Sequence, residues 1–191
     1  GDEAESFPFL RGQLALVFLV DTIAYAPSDR LRDATPSLLH ISICHADHFL
    51  GLLQYKSRKF IGNLASILGC QSSLDDLFKL RWAYDEASTT PEALREFVRG
   101  ILPLFEPFIP NFAALWCKAA VEWATACPVR HVACRSFQIF RCLEPHIDQT
   151  SMAAMLARLS TTIAEIDAQD IQGFAFQILA TFTAVAPVTS L

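Results

Sequence analysis

The 191-residue sequence predicts an all-α fold in which antiparallel helix pairs stack as a solenoid. The first observation is the stretch PVRHVACRSFQIFRCL at 128–143. At 100° per residue, Val129, Val132, Ala133, Phe137, Ile139, Phe140 and Leu143 fall in one arc, and Arg130, His131, Arg135, Gln138 and Arg141 fall in the opposite one. The second is recurrence. Val129, Val132, Ala133, Phe137, Phe140, Leu143 and Pro145 reappear 42 positions on as Ile171, Phe174, Ala175, Leu179, Phe182, Val185 and Pro187. Leu53, Lys56, Ser57, Phe60, Ile61 and Leu64 form a looser copy 76 positions upstream of the first. A period near 40 residues on helical ground is the signature of HEAT or armadillo repeats, whose helix pairs complete their cores by stacking. The third observation is that no strand alternation and no glycine-rich phosphate loop interrupts the helical patterning.

In chain order, residues 1–11 read as a tail and Gln13 to Tyr25 as a first helix. Ser28 or Asp29 caps a short turn, and Pro36 starts a helix running to about His48. The segment 49–68 follows, with Lys56, Arg58 and Lys59 as a basic edge, and then a short helix from Leu74 to Tyr84. Thr90, Pro91 and Glu92 begin the next helix, which is expected to end near Leu102, before a stiff apolar connector PLFEPFIP. Asn111 to Ala126 carries Trp116 and Trp123 on one face and forms a hairpin with 128–143, where Pro128 suits the first helical position. Ser151 to Ile166 and Asp170 to Ala186 form a last hairpin. The whole is one unit, 1–191, of about eight to ten helices.

Composition narrows the function. Hydrophobic residues make up 52% and charged ones 18%, which gives ample core and the apolar excess expected of a slice of a longer stack. A net charge of −5 argues against nucleic acid as the main partner. The purest apolar run, Leu14 to Val20, is too short for the roughly 20 residues of a membrane span. The start GDEAESFPF lacks the basic opening and cleavage site of a signal peptide. Six cysteines without a C-x-x-C spacing, mostly within amphipathic patterns, read as reduced thiols of a cytosolic protein.

Clusters with catalytic or metal-binding chemistry are sparse. His131 and Cys134 lie three apart on one helix, but no third group orients them as a nucleophile and base. His40, Cys44 and His48 have metal-ligand spacing without a fourth ligand. Asp75, Asp76, Asp85 and Glu86 fit capping and solvation better than paired acid–base work. No catalytic residue, metal or cofactor is expected. The basic arc is the candidate site: Arg130, His131, Arg135, Gln138 and Arg141, with Lys56 and Lys59 upstream, as a surface for an acidic protein partner. Its arginines have Glu122 and Glu144 as candidate internal partners instead.

The string CPVRHVACRSFQIFRCLEP, with MLARLSTTIAEIDAQDIQGFAFQIL after it and LALVFLVDTIAY before it, resembles the Furry-type cell morphogenesis proteins. The likeness runs over most of the chain and is densest from Trp123 to Leu179. It implies an internal segment of a very long, non-enzymatic helical-repeat scaffold. It further implies NDR-class kinases and their Mob co-activators as partners, with a cytoplasmic location at sites of polarised growth. A transport or trafficking adaptor built on the same repeats is the alternative. Between Ile171 and Ala186 no residue is charged, so Phe176 and Ala180 are expected to face an adjacent repeat of the same long chain.

Overall fold

The computed structural model describes residues 15, 28–45, 51–69, 90–165 and 171–185. They form seven α-helices and no strand: α1 Ser28–Cys44, α2 Gly51–Leu68, α3 Pro91–Phe105, α4 Phe112–Ala126, α5 Arg130–Cys142, α6 Gln149–Ala164 and α7 Ile171–Val185. The helices expected at Gln13–Tyr25, apart from the helical position 15, and at Leu74–Tyr84 lie outside the described residues, as do His48 and the aspartates at 75, 76 and 85.

Helix α5 is the hub, packed by α4, α7, α3 and α1. Hairpins α4–α5 and α6–α7 stack in register, α4 against α6 and α5 against α7, so that α5 lies between its own partner and the next pair. The apolar arc read from the sequence is the buried one, with Val132, Ala133, Phe137, Ile139 and Phe140 all in the core. Alanines 119, 120 and 124 of α4 and Ala133 of α5 are also buried, and these small side chains permit the close approach of a tight hairpin. The Phe137 ring meets Phe174 of α7 at 6.1 Å between centroids, which ties one hairpin to the next.

Helix α3 buries Leu94, Phe97, Val98, Ile101 and Phe105 at the spacing of a single amphipathic face. Thr90 caps it, its side chain accepting from Ala93 N–H at 3.2 Å, with Pro91 in the first turn. A Thr90→Ala variant is expected to lose about 1 kcal/mol of unfolding free energy in a urea titration. Stacked rings of Phe105 and Phe112, 5.3 Å apart, with Trp116 beyond at 5.6 Å, weld α3 to α4 across the turn. That turn is closed by Asn111 in the left-handed region, at φ 57°.

Three sequence expectations are corrected. Pro36 lies inside α1 rather than at a helix start. Burial of Leu31 on one side of the proline and Leu39 and Ile43 on the other holds the helix through it. Pro103 likewise sits within the last turn of α3, which runs on to Phe105. Pro128 precedes α5, whose cap position is Val129.

Along α6 and α7 an outward strip remains. Met152, Leu156 and Ile163 share one stripe of α6, Phe176 and Leu179 share one stripe of α7, and all five are exposed. Phe176 conforms to the expectation from the uncharged sequence, whereas Leu179, expected inward, is 51% exposed. None of the described helices is long and apolar enough to cross a membrane.

Candidate functional site

The basic arc of α5 is neither an open row nor uniformly solvated, because α3 and α7 lean over it. Arg141 is half-buried and reaches α7. Its Nη1 donates to the Gln177 carbonyl at 3.0 Å and the Thr181 hydroxyl at 2.9 Å, and its Nη2 to Gln177 Oε1 at 2.8 Å. Arg135 donates to Gln138 Oε1 at 2.7 Å. These side chains converge on a cavity of about 170 Å³ at the junction of α3, α5 and α7. Arg135, Gln138 and Arg141 line one wall, Thr90 and Arg95 of α3 another, and Phe176 and Gln177 of α7 the third. No aspartate or glutamate is among the lining residues described.

The electrostatics follow from this. Burial lowers the guanidinium pKa of both Arg135 and Arg141, and the like charge of Arg95 lowers Arg141 further. Arg141 is held by neutral oxygens, and exposed Arg95 has no ion pair among the described residues. The pocket is therefore a concentration of positive charge that an anion would relieve.

The other candidate residues are placed elsewhere. Arg130 donates to Glu165 at 2.8 Å, bracing the start of α5 against the end of α6. His131 hydrogen-bonds the carbonyl of Cys44, closing the end of α1. Lys56 and Lys59 lie on α2, which packs on α1, and do not line the pocket. Arg99 pairs with Glu144, one of the internal partners considered, which sits at φ 49° just after α5. Arg95 is the residue that sequence reasoning missed. Flanked by Glu92 and Glu96 on an amphipathic helix, it reads as ordinary surface, and only the crossing of α3 over α5 gives it a role.

A second hollow, about 400 Å³, lies between α4, α6 and the 145–148 segment. Its Lys118 and Glu122 sit 4.0 Å apart and offset one another, so it concentrates no charge.

One cluster of nucleophile-type and base-type residues joins α1 to α5. His40 Nε2 is 2.8 Å from Ser136 Oγ, and Cys44 Sγ is 3.6 Å from the imidazole and 3.7 Å from the hydroxyl. The Ser136 hydroxyl donates to the Val132 carbonyl at 2.7 Å, so His40 Nε2–H is the donor to Ser136. All three side chains are fully buried. Burial pushes the Cys44 thiol up to about 12 and the His40 imidazole down to about 3, which leaves neither thiolate nor imidazolium near neutral pH. The cluster is a structural pin. Among the described residues no three His, Cys, Asp or Glu side chains are arranged to hold a metal, and none of the cysteines is in a disulfide.

Comparison with known proteins places this chain in a family. The family description "cell morphogenesis central region" matches residues 96–167, from α3 through α6. The cell morphogenesis protein PAG1 of Saccharomyces cerevisiae is 36% identical over 188 residues, covering 93% of this chain. The cell polarity protein mor2 of Schizosaccharomyces pombe is 24% identical over 191 residues, covering 89% of it. The chain spans 8% of the length of each of these relatives. No solved structure matches it. With a matched family region that contains the hub helix, and with a relative 36% identical that covers 93% of this chain, the chain belongs to the cell morphogenesis family of PAG1 and mor2.

Proposed function

We propose that this segment is a non-enzymatic scaffold that binds an acidic group of a protein partner in the pocket between α3, α5 and α7. The observation that carries this reading is the convergence of Arg95, Arg135 and Arg141 on one cavity with no carboxylate in its described lining. Arginine suits the task because its planar fork pairs with two oxygens at once. The names of the relatives support a role in cell morphogenesis and polarity. The resemblance to Furry-type scaffolds supplies the partner class: NDR-class kinases and Mob co-activators, in the cytoplasm at sites of growth, held on a stack of HEAT-like repeats.

Arg95→Glu is the variant of choice, because this side chain is exposed and makes no ion pair among the described residues. Purified chain and variant are titrated with an NDR-class kinase and with its Mob co-activator. The variant is expected to keep its helical circular dichroism and to bind at least about tenfold more weakly, with wild-type affinity falling as salt rises. Equal binding by chain and variant, or binding of neither partner, sinks the proposal.

A further inference from the structure

We infer that the arginine pocket takes a phosphoryl group, carried by a phosphorylated serine or threonine of the partner. The inference rests on the acidic-partner reading and specifies which acid. The first ground is charge. The guanidinium groups of Arg95 and Arg141 line a cavity without a described carboxylate, and a phosphoryl dianion offsets more of that charge than a single carboxylate does.

The second ground is the balance of donors and acceptors. Acceptors near the pocket are already used: Gln138 Oε1 by Arg135, and Gln177 Oε1, the Gln177 carbonyl and the Thr181 hydroxyl oxygen by Arg141. Each glutamine then has its amide N–H groups left to give, and the Thr90 oxygen, which accepts from Ala93 N–H, still has a hydroxyl hydrogen to donate. What the cavity offers is donors. A phosphoryl group brings three strong acceptor oxygens and, near neutral pH, little or no proton of its own.

Two features of the rim fit a peptide. The pocket opens at the first turn of α3, whose positive dipole end favours an anion. Beside it stands Phe176, 64% exposed, with Leu179 next along the same stripe of α7. An apolar residue next to the phosphorylated one would cover that surface. A phosphorylated lipid carries the same group, but a net charge of −5 opposes approach to an anionic bilayer.

Fluorescence anisotropy of the chain with three degenerate peptide pools tests this: phosphoserine and phosphothreonine, glutamate at the same position, and unmodified. The phosphorylated pool is expected to bind at least about tenfold more tightly than either other pool, with Arg95→Ala weakening it about fivefold or more. Millimolar inorganic phosphate should compete, and Lys118→Ala, on the far hollow, should change nothing. Equal binding of the glutamate and phosphorylated pools overturns the phosphoryl inference while leaving the acidic-partner reading intact. Binding of no pool overturns both. Capture by vesicles containing phosphoinositides, with no peptide binding, assigns the pocket to a lipid headgroup and overturns the inference.

Discussion

Phe137→Ala is expected to lower the unfolding free energy by about 3–5 kcal/mol, the range for deleting a fully buried aromatic ring and leaving a cavity. Phe137 has no exposed surface and sits on the hub helix, so it cannot be replaced by shifting one neighbour. Its ring also contacts Phe174, and losing that contact weakens the only aromatic link recorded between α5 and α7 among the described residues. The opposite case is Phe176, two residues from Phe174 but 64% exposed, where alanine is expected to cost less than about 0.5 kcal/mol. Urea titrations of the two variants check both figures. A loss below about 1 kcal/mol for Phe137→Ala would mean that the stack closes over the gap or that α5 is not its hub.

These two phenylalanines show what the sequence made legible. A helical period assigns faces within one helix, so the apolar arc of α5 and the hairpins could be read directly. Period alone does not say what covers a face. Leu179 occupies the slot that Phe137 fills one repeat earlier, yet Phe137 is buried because Phe174 of the next hairpin rests on it, while Leu179 has no following hairpin among the described residues and is half exposed. The same limit applies to the arginines. Charge at 3.6 spacing looks like a solvated row, and only the crossing of α3 and α7 divides it into a brace at Arg130 and a pocket at Arg135 and Arg141. The partners of Arg130 and Arg141 lie 35 or more positions away in the chain, at Glu165 and Gln177, beyond the reach of a local pattern. Pro36 failed for the converse reason, since a strong local rule was overridden by burial on both sides of it.

The second large effect concerns His40, through pH. Its imidazole ordinarily titrates near 6.5, and in the folded chain burial holds it down to about 3. Between those values the unfolded chain binds a proton that the folded chain refuses, so the contribution of His40 is present above pH 6.5 and is lost as pH falls toward 3. The slope from this one group is about 1.4 kcal/mol per pH unit. Its partners, the Cys44 thiol and the Ser136 hydroxyl, are neutral throughout the window and supply no carboxylate to stabilise an imidazolium. Burial also lowers His45, so its contribution adds in the same direction. Acidification should therefore first release α1 from α5, because His40 and Ser136, 96 positions apart, form a buried hydrogen-bonded joint between these helices. His40→Gln separates this from general acid unfolding, since its amide retains a donor for Ser136 but does not titrate. The variant is expected to be less stable than wild type at pH 7, with the difference shrinking by about 1.4 kcal/mol for each unit of acidification below 6.5. Urea titrations at pH 7, 6, 5 and 4 give the comparison. Parallel stability curves for the two proteins would show that His40 is protonated in the fold, and would remove the buried neutral pin from the account of how α1 is held.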